Sequence, residues 1–187
     1  MALTTVIFDW DGTLLDTDEA LIAPFVALGV AREDVPWGNP LGAACAALGI
    51  STEEYLARYD PALTRPWPGV PELLAEVVER GLRWAICSNK HPDGGVAELA
   101  LQPWEPEGVW WSDAFDFGPK RLGPVLEGLG VTADEVLFVG DTEHDVAAAE
   151  EVGCRFVLAG WNPRSASVTG VDVAERPADV LARLEPA

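Results

Sequence analysis

Short apolar runs that end abruptly in polar clusters constrain this chain more than any other feature. Residues 5–8 (TVIF) stop at Asp9-Trp10-Asp11-Gly12-Thr13, and residues 82–87 (LRWAIC) stop at Ser88-Asn89-Lys90. Residues 136–139 (VLFV) stop at Gly140-Asp141-Thr142-Glu143-His144-Asp145. Runs this short, rich in β-branched and aromatic residues, read as buried strands. Between them lie helical patterns, residues 70–80 stopped by Gly81 and residues 142–152 stopped by Gly153. Strands alternating with helices over short loops predict an α/β three-layer sandwich, a mostly parallel sheet covered on both faces. Ligands of such sheets sit beyond the carboxyl ends of the strands, where all three polar clusters fall.

The rest of the chain fits around that sheet. Residues 17–28 read as a helix with Asp18 and Glu19 in its first turn and Gly29 closing it. Residues 30–68 carry no strand signal but hold an Ala-rich stretch (41–50) and Ser51 and Glu54 at capping-box spacing. This reads as a small helical insertion of three or four short helices after the first strand, ended by the hinge Arg65-Pro66-Trp67-Pro68-Gly69. The expected division is a core of residues 1–15 and 66–187 and an insertion of residues 16–65. Further expected elements are a weaker helix at 95–101, strands at 109–111 and 155–158, a helix ending near Leu129, capping-box spacing at Thr132 and Glu135, and a closing helix at 178–185.

Of the 187 residues 49% are hydrophobic, which excludes a disordered chain, and a net charge of −19 repels nucleic acid and anionic membrane. A small anion still binds where positive charge is concentrated, which draws attention to the two lysines, Lys90 and Lys120. Cys45, Cys87 and Cys154 are widely spaced among apolar residues and read as core thiols, neither a disulfide framework nor a zinc site. With no cation-led apolar leader and no membrane-length run, a soluble cytoplasmic protein is expected. Oligomeric state, monomer or homodimer, is left open.

The polar clusters suggest a division of labour. Asp9 and Asp11, two apart in an extended segment, point the same way, and Gly12 permits a turn whose N–H groups face an anion. The Thr13 hydroxyl can tie that turn. Asp141 and Asp145, four apart at a helix start, share a face. Carboxylates crowded at one edge repel unless a divalent cation joins them, and hard oxygen ligands favour Mg²⁺. An amine and a hydroxyl, Lys120 and Ser88, suit phosphate oxygens instead.

Asp9 to Thr13 (DWDGT), Ser88-Asn89, Lys120 and Gly140 to Asp145 (GDTEHD) resemble, in order, the four motifs of the haloacid-dehalogenase-like superfamily, in its phosphatase branch with a small helical cap, the phosphoglycolate-phosphatase-like group. Residues 68–81 resemble its link between cap and core. The resemblance implies a Rossmann-like sheet and a Mg²⁺-dependent phosphatase acting on a small phosphorylated metabolite. Asp9 is then the nucleophile and Asp11 the general acid and base. Mg²⁺ is held by the Asp9 carboxylate, the Asp11 backbone carbonyl and Asp141, with Asp145 supporting. Gly12, Thr13, Ser88, Asn89 and Lys120 join Asp9 around the phosphoryl group, and residues 16–65 become the cap.

Two rivals share the motifs: a phosphosugar mutase and a non-catalytic binding protein that retains the fold. A dehalogenase needs neither metal nor an acid at Asp11. The chain departs from the family at Arg121, where many relatives have proline, and at the bulky Trp110-Trp111 pair. Trp10, Trp37, Trp67 and His91 are candidate rim residues, while Arg121, His91 and His144 are left without an assigned substrate contact.

Overall fold

The computed structural model describes residues 2–36 and 40–184. In chain order the strands are β1 (Thr5–Phe8), β2 (Leu15–Asp16), β3 (Arg65–Pro66), β4 (Arg83–Cys87), β5 (Gly108–Trp110), β6 (Val136–Gly140), β7 (Arg155–Ala159) and β8 (Val173–Ala174). The α-helices are α1 (Asp18–Ala27), α2 (Leu41–Ala47), α3 (Thr52–Leu56), α4 (Val70–Glu79), α5 (Pro92–Leu99), α6 (Gly123–Leu129) and α7 (Glu143–Val152). Among the described residues six strands form one parallel sheet in the order β5-β4-β1-β6-β7-β8. The chain runs outward from β1 in one direction through β4 and β5, then returns to β6 on its other side. This makes the β1/β6 junction the topological switch point of the sheet.

Side-chain alternation explains the two covered faces. Val6 and Phe8 join Trp84, Ile86, Leu137 and Val139 on the α4 side, whereas Ile7 joins Ala85, Cys87, Val136 and Phe138 on the other. Helix α4 offers Val70, Leu73, Leu74 and Val77 to the first face, all at most 4% exposed. Burial of each such side chain stabilises the fold by about 1.5–3 kcal/mol. The same alternation splits the Trp110-Trp111 pair, with Trp111 packed in the first cluster and Trp110 against the second.

After β1 the chain turns through Gly12 into β2, which pairs antiparallel with β3. Helices α1, α2 and α3 lie between those strands, with two single 3₁₀ turns. They gather around their own apolar cluster of Ile22, Phe25, Val35, Cys45 and Tyr55. The Ser51 hydroxyl accepts from the Glu54 N–H at 3.0 Å and the Glu54 carboxylate accepts from the Ser51 N–H at 3.3 Å, so the expected capping box starts α3.

Several expected boundaries move. The helix expected at 95–101 begins earlier, at Pro92, where proline suits a first turn and the His91 ring nitrogen accepts from the Asp93 N–H at 3.3 Å. The closing segment is a 3₁₀ helix, Pro177–Arg183, rather than an α-helix, and residue 185 lies outside the described residues. The strand expected at 109–111 runs from Gly108 to Trp110. Trp10, expected at the rim, is fully buried against Trp104 and Trp111, and Trp67 packs at the edge of the main core. Trp37 lies outside the described residues. Cys45 and Cys87 are buried and Cys154 is partly so, all three as free thiols. No helix among the described residues is long and apolar enough to cross a membrane.

Candidate active site

Sheet register decides which side chains meet. Phe8 is level with Ile86 on one neighbour and Val139 on the other, so Asp9, Ser88 and Asp141 emerge together at the carboxyl edge. The Asp9 N–H donates to the Val139 carbonyl at 2.9 Å, extending the ladder one residue past β1 and fixing the direction of its carboxylate.

Asp9, Asp141 and Asp145 are all buried, and each offers an oxygen within 4.8 Å of the others. Lys120 joins them from the loop before α6, its Nζ lying 2.5 Å from Asp9 Oδ1 and 2.6 Å from Asp145 Oδ1. The Lys120 backbone N–H donates to Asn89 Oδ1 at 2.7 Å, so the strand-end asparagine after β4 anchors the lysine loop. Asp145 is committed to the protein: its Oδ2 accepts from the Thr142 N–H at 2.9 Å and the Thr142 hydroxyl at 2.7 Å. It packs so closely on β6 that a Cβ on Gly140 would lie 2.3 Å from Asp145 Cγ. Asp141 is held by the Asn162 amide, which donates at 2.7 Å, and by the Thr13 hydroxyl, which donates at 3.2 Å. The turn at Gly12, with φ +81°, brings the chain so near that a Cβ there would lie 2.4 Å from Asp141 Oδ2. Only glycine meets both demands without strain.

Three carboxylates facing one ammonium leave the cluster short of positive charge. Burial pushes the Asp9 carboxyl up to about 6, with Lys120 opposing and Asp145 adding to the rise. Burial and then the charges of Asp9 and Asp145 drive Asp141 well above the usual carboxylate range. Burial works against the Lys120 ammonium, but Asp145 and Asp9 outweigh it and hold its proton more tightly than usual. A hard divalent cation among these oxygens relieves the same imbalance, so the donor set fits Mg²⁺. Each of the three offers an oxygen to a cation, and Asp145, whose Oδ2 also takes the Thr142 N–H and hydroxyl, suits bracing.

A cavity of about 520 Å³ opens over this cluster. Asp9, Asp11, Ser88, Asn89 and Lys120 lie on one side, and Phe25, Tyr55 and Tyr59 of the helical segment on the other. His91 and His144 also line it. The Thr13 hydroxyl, expected among the phosphate ligands, is turned to Asp141 instead, and Arg121 is exposed beside a smaller hollow with His144.

Three participants, Glu98, Asn162 and Arg164, escaped the sequence reading, and Lys90 was singled out there without a role. Lys90 Nζ donates to Asp11 Oδ1 at 2.8 Å and to Glu98 Oε1 at 2.9 Å. Asn162 follows β7 and Arg164 pairs with Asp18 at the start of α1 while lining the cavity. The scarcity of lysine pointed towards Lys90, and the strand-end rule applied to β7 selects Asn162. Glu98, on a helix of weak periodicity, gave no signal.

Buried acids and a lysine gathered at the switch point of a parallel sheet, under a helical insertion, define a hydrolase of phosphatase type. Residues 50–153 match the haloacid dehalogenase-like hydrolase family, and the chain belongs to it. It is 31% identical over 185 residues to the N-acetylmuramic acid 6-phosphate phosphatase of Pseudomonas aeruginosa, covering 83% of this chain and 80% of that protein. It is also 31% identical over 199 residues to a phosphoglycolate phosphatase of Rhodospirillum rubrum, covering 83% and 79%. The fold superposes on the crystal structure of a hydrolase from Pseudomonas syringae with a TM-score of 0.79, at 22% identity and covering 97% of each chain.

Proposed function

We propose that this protein is a Mg²⁺-dependent phosphomonoesterase that hydrolyses a small phosphorylated metabolite through an aspartyl-phosphate on Asp9. The observation that carries the reading is the placement of Asp9, which lies on the cavity floor 2.5 Å from the Lys120 ammonium and within reach of Asp141. Phosphatase names among the relatives support the same reaction class.

A phosphoryl group entering the cavity meets Lys120 and Ser88 through its oxygens and Asp9 through its phosphorus. The Asp9 carboxylate attacks in line, forming the O–P bond as the bond to the leaving oxygen breaks, and Asp11 gives that oxygen its proton. Water then attacks phosphorus, Asp11 takes a proton from it, and Asp9 is released with inorganic phosphate. Asp9, Asp141 and the Asp11 backbone carbonyl would hold Mg²⁺, which when bound supplies positive charge to the phosphoryl oxygens. Asn89 and Gly12 act through position, the first on the Lys120 loop and the second on Asp141.

Residues 16–65 act as a cap that excludes water and carries specificity through its cavity-facing side chains. Three free thiols fit a reducing compartment such as the cytoplasm. The test is phosphate release across a panel of small phosphate esters, with Mg²⁺ and with chelator, for the parent and D9N. Release that requires Mg²⁺ and vanishes in a folded D9N variant is expected. Full activity in D9N removes Asp9 as nucleophile.

A further inference from the structure

Beside the acid cluster lies a second buried charge system that the reaction above does not use. Lys90 and Glu98 have side chains 4% and 0% exposed. An ammonium has three protons to donate, and each one here has an acceptor. Lys90 Nζ reaches Asp11 Oδ1 at 2.8 Å, Tyr59 Oη at 2.8 Å and Glu98 Oε1 at 2.9 Å. Glu98 is equally committed, accepting from the Tyr59 hydroxyl through Oε1 and from Trp10 Nε1 at 2.6 Å through Oε2.

The arrangement is built into the backbone around it. Gly94, in the first turns of α5, leaves a space in which a Cβ would lie 3.1 Å from Lys90 Cε and 3.5 Å from the Tyr59 ring. Trp10, between the two aspartates, is tied to the same glutamate that holds the lysine. Residues 10 and 11 are thus anchored from one buried pair, while Asp9 answers to Lys120.

A buried ion pair adds little net stability compared with apolar packing, and this one is joined directly to Asp11. Of the three acceptors of Lys90, Glu98 and Tyr59 hold it in place, and the third is the Asp11 carboxylate, which is 23% exposed and faces the cavity. Proton transfer demands a donor fixed within hydrogen-bond distance, and an aspartate side chain held at one oxygen has fewer rotamers open to it.

We propose that Lys90, oriented by Glu98 and Tyr59, is the positioning residue that holds Asp11 through Oδ1, leaving Oδ2 to carry the proton to the leaving group. Because Tyr59 belongs to the helical segment, the same contact ties the placement of Asp11 to the seating of that segment over the cavity. The proposal rests on the phosphatase reading and adds to it a role for residues outside the four motifs.

Leaving-group dependence separates this role from a purely structural one. A poor leaving group needs the proton, whereas 2,4-dinitrophenolate departs without it. The value of kcat/KM reports steps up to the first irreversible one, so the later work of Asp11 as base does not enter. The experiment measures kcat/KM for the parent, Lys90→Met and Asp11→Asn with 2,4-dinitrophenyl phosphate and with the alkyl phosphate that the parent hydrolyses fastest. The double variant K90M/E98Q, which removes both buried charges together, covers the case in which K90M alone does not fold.

The expected result is a loss of about 100-fold or more on the alkyl ester, within the range that general acid catalysis supplies. On the dinitrophenyl ester the same variant stays within about 3-fold of the parent, and D11N shows the same split. Equal losses on both esters, or no loss on either, overturn the positioning role while leaving the phosphatase reading intact. A parent enzyme that releases phosphate neither from the dinitrophenyl ester nor from any alkyl phosphate tried overturns that reading, and the proposal falls with it.

Discussion

Lys120 Nζ sits 2.5 Å from Asp9 Oδ1 and touches Asp145 as well, so one buried ammonium serves two carboxylates far apart in the chain. Removing it leaves those charges facing each other without compensation. Breaking a buried pair from one side costs about 3–5 kcal/mol. Lys120→Met is therefore expected to melt well below the parent in chelator and to recover part of the difference in Mg²⁺. Turnover should fall by about 100-fold or more, as for other donors to a transferring group. Calorimetry with and without Mg²⁺, alongside phosphate release, checks both; a variant that melts with the parent in chelator would contradict the pairing.

Gly12→Ala tests the close approach to Asp141. The added Cβ meets Asp141 Oδ2 at 2.4 Å and the φ of +81° is unfavourable for any side chain. Strain of this kind costs about 1–3 kcal/mol. Because the carboxylate must shift, Mg²⁺ affinity should weaken along with stability. Isothermal titration with Mg²⁺ and thermal melts read the two effects; unchanged affinity would mean that Asp141 does not contribute to the metal site.

Asn162→Ala separates orientation from ligation. The amide donates to Asp141 at 2.7 Å and its carbonyl accepts from the Arg164 N–H at 3.0 Å. Losing an outer partner of a metal ligand typically lowers affinity about 10–100-fold. The expected outcome is a raised Mg²⁺ requirement, with turnover largely restored at saturating Mg²⁺. A loss of turnover that excess Mg²⁺ does not repair would argue that Asn162 acts on something other than Asp141.

Much of this site was legible because it is built from strand ends. The runs TVIF and VLFV are too apolar and too short to be anything but buried strands, and their register delivers Asp9 and Asp141 to one edge whatever the helices do. Lys120 was legible for its rarity. The Lys90–Glu98 pair was not, because it depends on three separate segments: a strand end, a helix weakened by Gly94 and Gly95, and Tyr59 in an aperiodic stretch. Trp10 misled for a related reason. Alternation places it opposite Asp9, but the opposite side is core, where its indole N–H finds Glu98. The tail misled because a short amphipathic pattern after Pro177 does not distinguish an α-helix from a 3₁₀ helix.

The raised Asp9 carboxyl gives a pH dependence whose sign can be worked out. Burial lifts it to about 6 from an ordinary 3.8, so the folded protein binds this proton more tightly than the unfolded chain does. Such a group contributes stability below the unfolded value, and that contribution is lost as pH rises from about 4 through about 6. For a shift of this size the loss amounts to about 3 kcal/mol. Glu107 and Asp172, which their arginine partners hold below the usual range, act at lower pH and with the opposite sign, losing their contribution as pH falls. The difference between the parent and D9N, which lacks the titrating group, isolates the Asp9 contribution. Urea denaturation in chelator at intervals from pH 4 to 7 should show the parent losing stability relative to D9N as pH rises. Adding Mg²⁺, which binds the ionised carboxylate, should offset the loss and do so more at pH 7 than at pH 5. A parent-minus-D9N difference that stays flat with pH, or a Mg²⁺ effect of equal size at both ends, would show that the buried carboxyl is not the group the cation relieves.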